Sequence, residues 1–291
     1  MNNPVNDSLH RFIFEDCGVR GNLVYLDASW KAVLERHQYP HSVIPHLGEL
    51  SAGSLLLSAV LKLNGSLIIQ AQGSGPVTTL VAQATHDRHF RSLARWHNAP
   101  ENPVPLSDLT GKGHLVLTID PVEGERYQGV VSLEGEKLEQ SIENYFSQSE
   151  QLPTMLKLAA NEHRAVGILI QVLPTSKGDD EDWNRISMLT ETLKQKELLE
   201  IPMEKLLHRL YHEETVRLFE SEPVAFRCHC SREKVSSSLR SLGKKELDDI
   251  LTEEKVIATT CEFCNKTYEF DAVDVDMLFS DNDHAAPNKV Q

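Results

Sequence analysis

Two short stretches near the carboxyl end decide how the last quarter of the chain folds: Cys228-His-Cys230 and Cys261-Glu-Phe-Cys264. They give the spacing C-x-C, then 30 residues, then C-x-x-C. The fifth cysteine, Cys17, stands alone near the start. Zinc takes four tetrahedral ligands and binds thiolates well. The two pairs therefore predict one zinc ion held by Cys228, Cys230, Cys261 and Cys264.

The same four cysteines permit other chemistry. An iron–sulfur cluster fits these spacings less well, but each close pair can oxidise to a disulfide, with some strain in C-x-C. Disulfide sulfurs no longer bind zinc, and a unit of about 60 residues has a small core. The spacing thus permits a switch between a reduced, zinc-bound, folded unit and an oxidised, unfolded one. Asn265 tolerates a left-handed backbone, which would turn N–H groups toward the sulfurs.

The composition is that of a globular protein, with 291 residues, 40% of them hydrophobic and 25% charged. A net charge of −14 argues against binding to nucleic acid and to anionic membranes. Apolar stretches such as 54–63 and 167–173 are shorter than the ~18 residues of a membrane helix. Residues 1–19 lack a basic region followed by an apolar run, so we expect no secretory signal and a cytoplasmic location.

Three domains are expected, and the fold class is α+β. Residues 1–174 mix strand signals with helix signals and lack regular βαβ alternation, which favours a mixed core domain with a largely antiparallel sheet. The predicted strands cover 21–26, 67–72, 115–119 and 167–173, and the predicted helices cover 51–63 and 137–149.

Residues 175–227 form the second expected domain, a helical linker. It holds 12 acidic and 8 basic residues among 53. One helix should run from about Asp180 to Leu199, and a second from Glu204 to Tyr211 after Pro202. With so much charge, the linker should have little apolar surface to anchor it and should open locally.

Residues 228–291 form the third, a small zinc-binding domain. Helices are expected over 231–242, 244–254 and 272–279, the last capped by Asp271. Strands are expected over 256–261 and 267–270, and the tail 281–291 should be mobile.

Several other motifs give no site. His208 and His212 share the spacing of H-E-x-x-H without its glutamate. His86, His89 and His97 are expected on a surface helix face. Gly73-Ser-Gly75-Pro76 lacks the third glycine of a dinucleotide site, and no G-x-x-x-x-G-K-[ST] occurs. Cys17, beside Glu15 and Asp16, is expected to be structural.

The chain resembles the redox-regulated 33 kDa heat-shock chaperone family of bacteria almost from end to end. The two cysteine pairs match, and so do further motifs in the same order: Val19-Arg-Gly21, Gly124-Glu-Arg-Tyr-Gln-Gly129, Ser149-Glu-Gln-Leu-Pro-Thr154, Leu207-His-Arg-Leu-Tyr-His-Glu-Glu214 and Phe226-Arg-Cys-His-Cys-Ser-Arg-Glu233. His229 and Asn265 depart from the residues expected there, but neither departure removes a ligand.

The resemblance implies an ATP-independent holdase and not an enzyme. In the family's reduced state, zinc on the four thiolates keeps the chaperone inactive. Oxidation forms the disulfides Cys228–Cys230 and Cys261–Cys264, releases zinc and unfolds the linker, and the protein then dimerises and holds unfolded client proteins. No nucleotide, nucleic acid or membrane is implied as a partner. From spacing alone, crossed pairings such as Cys228 with Cys261 stay open.

Two competing hypotheses follow from the zinc site. The first is a zinc ribbon with a purely structural ion that binds a partner protein; the acidic residues around the second pair, such as Glu262 and Glu269, disfavour nucleic acid. The second is a zinc enzyme, which needs an open coordination position that four thiolates do not leave.

Overall fold

The computed structural model describes residues 7–61, 64–133, 135–173 and 180–280. The chain divides into two compact units, Met1–Arg227 and Cys228–Gln291. The expected boundary between residues 174 and 175 and the polar tail 281–291 lie outside the described residues, so the division into three domains stays a prediction.

The first unit alternates strands and helices without a repeating order. Its elements are β1 (Ser8–Phe14), β2 (Val19–Leu26), α1 (Ala28–Leu34), α2 (Val43–Val60), β3 (Gly65–Gly73), β4 (Val77–Thr85), β5 (His89–Trp96), α3 (Leu106–Thr110), β6 (Gly113–Pro121), β7 (Tyr127–Ser132), α4 (Leu138–Tyr145), β8 (Thr154–Ala160), β9 (Ala165–Val172), α5 (Asp180–Glu191), α6 (Gln195–Glu200), α7 (Met203–Tyr211), β10 (Val216–Leu218), β11 (Glu222–Pro223) and β12 (Ala225–Phe226). A π-helical turn, Phe146–Glu150, continues α4.

The strands form two sheets. Sheet A has the order β10-β1-β2-β9-β8, with β11 also paired to β1, and all its pairs are antiparallel. Sheet B has the order β12-β5-β4-β3-β6-β7, and only β12 pairs in parallel. The α+β class with largely antiparallel sheets is therefore confirmed.

Helix α2 packs between the two sheets at the centre of the core. Its 18 residues and mean hydropathy of 1.3 would, by length and composition alone, also suit a membrane span. In the fold, 89% of this helix is buried inside the protein. A mostly apolar helix that is buried on nearly every side suits a core position between two sheets.

Both faces of sheet A are covered, which explains the near-continuous apolar run of β9. Leu169 points into the core around α2, whereas Ile168 and Ile170 join a second cluster with α5, α6 and α7. Successive side chains of a strand face opposite ways, so a strand buried on both faces needs apolar residues at every position.

Helices α5 to α7 are anchored more firmly than the charge of residues 175–227 predicted. Eight of their side chains are buried: Ile186, Thr190, Leu198, Met203, Leu206, Leu207, Leu210 and Tyr211. Leu193, in the turn between α5 and α6, is buried as well. The predicted single helix from Asp180 to Leu199 was wrong. The chain breaks at residues 192–194, where the Glu197 carboxylate accepts the Lys194 backbone N–H at 3.0 Å and starts α6.

The second unit is a hairpin packed with three helices: α8 (Arg232–Leu242), α9 (Lys244–Glu254), β13 (Ile257–Thr260), β14 (Thr267–Phe270) and α10 (Ala272–Ser280). Each lies where the sequence predicted it. The Ser231 hydroxyl caps α8, and the Asp271 carboxylate accepts the Asp274 N–H at 2.9 Å at the start of α10. Within its described part, only seven apolar residues form the buried core of this unit.

Candidate metal centre

The four predicted cysteines come from two places in the second unit. Cys228 and Cys230 precede the cap of α8, and Cys261 and Cys264 lie in the turn between β13 and β14. Their sulfurs all lie within 4.8 Å of one another. The fold thus brings together pairs that are 30 residues apart.

The turn after the second pair is built for sulfur ligands. Asn265 has φ of 58°, in the left-handed region, as the sequence predicted. The N–H groups of Cys264 and Asn265 donate to the Cys261 carbonyl at 3.3 and 2.8 Å. The N–H groups of Phe263 and Cys264 in turn donate to the Cys261 sulfur. These amides favour a thiolate over a thiol at this sulfur.

The distances between the sulfurs fit one tetrahedral ion. The Cys228 and Cys261 sulfurs are 3.7 Å apart, and those of Cys230 and Cys264 are 3.4 Å apart. A tetrahedron with zinc–sulfur bonds of ~2.3 Å places its sulfurs about 3.8 Å apart. The four residues can therefore hold a metal ion, and four sulfurs fill the tetrahedral shell.

Hydrogen bonds to these thiols counteract the effect of burial on their pKa values. The Tyr268 hydroxyl donates to the Cys230 sulfur at 3.2 Å. Burial by itself raises the pKa of Cys230, but the bonds from Tyr268 and from the other thiols outweigh it and lower that pKa to about 7. Burial raises the pKa of Cys264 to about 12 and raises that of Cys261 as well. Without a cation, then, the four thiols cannot all ionise near neutral pH, and a divalent metal would supply the missing charge.

Two supporting residues escaped the sequence analysis. Tyr268 stands four positions after Cys264, and an alternating strand after a C-x-x-C turn was the signal that could have identified it. Arg232 donates to the Glu269 carbonyl at 2.8 Å, pairs with Asp274 at 2.8 Å and lies 4.2 Å from the Phe270 ring centre. It joins α8, β14 and α10 around the centre.

Cys17 belongs to the first unit and is not one of the four clustered cysteines. Its thiol is 5% exposed, and burial together with Asp182 and Glu214 raises its pKa to about 11. The sequence analysis expects Glu15 and Asp16 to disfavour the Cys17 thiolate. The carboxyl groups that raise its pKa in the structure come instead from α5 and from the segment after α7.

The histidine motifs do not form a metal site among the described residues. His208 and His212 stack at 5.9 Å on the exposed side of α7. The prediction that His86, His89 and His97 lie on a helix was wrong: His89 begins β5, and the other two flank strands. His89 pairs with Asp87 at 2.8 Å.

Comparison with known proteins agrees with this architecture. The model of the Hsp33 protein family matches residues 7–271. A 33 kDa chaperonin of Nitrosococcus oceani is 50% identical over 284 residues, covering 97% of this chain and 96% of its own length. One from Shewanella sediminis is 45% identical over 274 residues, covering 94% and 96%.

A solved structure shows the same fold. The crystal structure of the 33 kDa chaperonin (heat shock protein 33 homolog) from Thermotoga maritima superposes with a TM-score of 0.81 at 22% identity. The match covers 94% of this chain and 98% of the other. With the family model matching most of its length, the chain belongs to the Hsp33 family, whose membership supports a chaperone function.

Proposed function

We propose that this protein is a redox-regulated, ATP-independent holdase of the cytoplasm and not an enzyme. The observation that carries the proposal is the meeting of four thiols, from two distant segments, in a unit with only seven buried apolar residues in its described core. Such a unit depends on its metal for stability. Oxidation of the thiolates would therefore release the metal and unfold this unit.

Zinc is the metal we propose. When bound, zinc would keep all four sulfurs as thiolates by its charge. Thiolates, not thiols, are the form that oxidants attack. The centre is thus stable in a reducing cell and chemically exposed to peroxide.

Oxidation would proceed in two steps for each disulfide. One thiolate attacks the O–O bond of hydrogen peroxide and becomes a sulfenic acid, releasing hydroxide. A second thiolate then attacks that sulfur, forms the S–S bond and expels another hydroxide. Two sulfurs lose two electrons and one peroxide gains them. All four sulfurs are close to one another, so their distances do not select a disulfide pairing. We therefore propose the pairs Cys228–Cys230 and Cys261–Cys264 from the family resemblance.

Release of the linker would then expose the holding surface. Helices α5 to α7 cover an apolar face of sheet A formed by Phe12, Phe14, Leu23, Tyr25, Ile168 and Ile170. Losing this cover would expose a continuous patch, and binding of unfolded chains needs such a surface rather than a shaped pocket. The same patch offers a contact for a homodimer of the oxidised protein. We propose no nucleotide, nucleic acid or membrane as a partner.

Cysteine variants test the proposal. Cys261→Ser should lower the zinc content of the reduced protein and unfold the second unit, because three sulfurs cannot complete the shell. Cys17→Ser is the matched control, since its thiol lies in the first unit, and should keep both zinc and peroxide activation. Peptide mapping after peroxide identifies the disulfides.

Three outcomes would contradict the proposal. Unchanged zinc content in Cys261→Ser would remove this residue from the ligand set. Peroxide activation that depends on Cys17 would move the switch elsewhere. A protein that keeps zinc under peroxide and binds one partner protein throughout would instead be an interaction module with structural zinc.

A further inference from the structure

A cavity rich in arginine lies in the first unit. Its volume is about 260 Å³, and β1, β2, the last turn of α2 and the turn between β4 and β5 surround it. The basic side chains that line it are Arg11, Arg20, His86 and Arg88. In a chain with a net charge of −14, three guanidinium groups around one small cavity call for a physical reason.

The charges in this cavity do not balance among the described residues. Arg11 and Arg88 share a single carboxylate, Glu222, at 2.9 and 2.8 Å. Within the described part of the chain, Arg20 donates only to neutral oxygens, those of the Gln171 side chain and the Val60 carbonyl. Three guanidinium charges thus face one carboxylate. The Nε atom of Arg11 is also buried and has no hydrogen-bond partner among the residues that the structure describes.

The backbone holds one of the arginines in place at a cost. Arg88 adopts φ of 62°, a left-handed conformation that few residues with a side chain take. Its side chain is almost fully buried, with Nη1 3.4 Å from the Ser58 hydroxyl. A strained residue persists where the surroundings fix it, and such residues concentrate at ligand sites. Burial and the like charge of Arg11 also lower the pKa of Arg20, as expected for cations gathered without enough counter-charge.

We propose that this cavity binds a tetrahedral oxyanion of the phosphate class, held by Arg11, Arg20 and Arg88. The excess of two positive charges matches a phosphate group, which carries about −1.5 to −2 at neutral pH. A carboxylate would neutralise only one of them. Guanidinium forks also suit the several oxygens of a phosphate. The volume is smaller than the roughly 300–1,000 Å³ of drug-sized ligand sites, which favours inorganic phosphate or a terminal phosphate group.

The three arginines lie outside both the second unit and the linker, whereas Phe219 and Glu222 belong to the linker. The proposed site also accounts for Val19-Arg-Gly21, a motif that the metal centre leaves unexplained. Arg20 supplies the least compensated charge. Gly21, opposite Phe12 in β1, leaves room for the Phe12 ring, whose atoms would lie 2.0–2.6 Å from an added Cβ.

Thermal unfolding with added inorganic phosphate tests the proposal on the reduced, zinc-bound full chain. At constant ionic strength, phosphate and sulfate should raise Tm saturably, by a few degrees at concentrations far above Kd. Acetate and chloride should not. Isothermal titration gives the affinity directly.

Three variants make the test directional. Arg11→Gln removes the buried Nε–H and one charge and should weaken phosphate binding roughly 10- to 100-fold, the usual value of a charged hydrogen bond. Glu222→Gln removes the one carboxylate that the described residues pair with these arginines and should strengthen binding. Arg126→Gln is the control: Arg126 pairs with Asp120 at 2.9 Å on the exposed surface and should bind phosphate as the wild type does.

Clear outcomes overturn the proposal. They are a response to phosphate that does not saturate, an equal response to acetate, or equal affinities in Arg11→Gln and Arg126→Gln. If Arg11→Gln loses its fold, Glu222→Gln still decides, because weaker binding in that variant contradicts the charge argument.

Discussion

Tyr211 offers the most direct way to loosen the linker without touching the metal centre. Its side chain is 2% exposed at the end of α7, with its ring centre 4.9 Å from that of Phe14 and 6.3 Å from that of Phe12. Its hydroxyl lies 2.6 Å from that of Thr190 on α5. Tyr211 thus joins both helices to sheet A.

The cost of Tyr211→Ala follows from this burial. Truncating a large buried aromatic costs roughly 3–5 kcal/mol, including the cavity it leaves. Since 1.4 kcal/mol is tenfold, the open population of α5 to α7 should rise by a factor on the order of 10² to 10³. Tyr211→Phe loses only the bond to Thr190, about 0.5–1.5 kcal/mol, and should have a much smaller effect.

Two measurements follow the linker and its consequence. Hydrogen exchange of the amides of residues 180–211 reports local opening, and light scattering of a heat-unfolded client reports holding. Both are made with zinc and reductant present. We expect Tyr211→Ala to lose protection in this segment and to hold clients without peroxide, while its zinc stays bound.

Tyr145→Ala is the matched control, because this tyrosine is also fully buried but lies in the core around α2. Tyr145→Ala should lower the global stability of the protein, but it should not hold clients in the absence of peroxide. If Tyr211→Ala loses protection yet holds no client, or if Tyr145→Ala holds clients equally well, release of the linker is not what exposes the holding surface.

Three further predictions concern other parts of the molecule. Burial raises the pKa of Glu143 from 4.5 to about 7 in the fold, so its contribution to stability is complete below pH 4.5 and is lost as pH rises through 7. As pH rises from 4.5 to 8, the free energy of unfolding of Glu143→Gln, measured with urea, should therefore increase by roughly 1–3 kcal/mol relative to that of the wild type. A difference between the two proteins that does not change with pH would contradict this prediction. Tyr268→Phe removes the bond to Cys230 and should weaken zinc binding roughly 10- to 100-fold in a chelator competition, whereas equal affinity would make the tyrosine a packing residue only. ATP should leave client holding unchanged in the scattering assay, and any effect would reveal a nucleotide site.

Much of the fold could be predicted from local pattern. Strands β2, β3, β6 and β9 follow from short runs of β-forming residues, and the second unit follows from caps and turns at Ser231, Gly243 and Asp271. These signals are local, so one sequence is enough to identify them.

The elements that the sequence did not predict correctly depend on tertiary contacts. Helix α2 begins at Val43, well before its apolar run, because polar residues in its first half are buried with partners. His46, for example, lies 3.5 Å from Glu49 and 2.9 Å from the Val104 carbonyl. Strands β10 to β12 have two or three residues each and follow the edges of sheets already formed. No periodicity can show in so few residues.

For the site, spacing predicted the four sulfurs but not their environment. The residues Cys228, Cys230, Cys261 and Cys264 follow from metal-ligand spacing. The Tyr268 bond and the Arg232 brace depend on how the hairpin packs against α8. The linker's anchoring was underestimated because charge content says nothing about which residues face sheet A.

In the wild-type protein, loss of zinc should be what releases the linker and turns holding on. We would follow both in one sample of the reduced protein after adding peroxide at raised temperature, using a zinc indicator and the scattering of an unfolding client. We predict that zinc release and holding appear together and that dithiothreitol with zinc reverses both. Zinc that stays bound while holding appears, or leaves with no gain in holding, would contradict it.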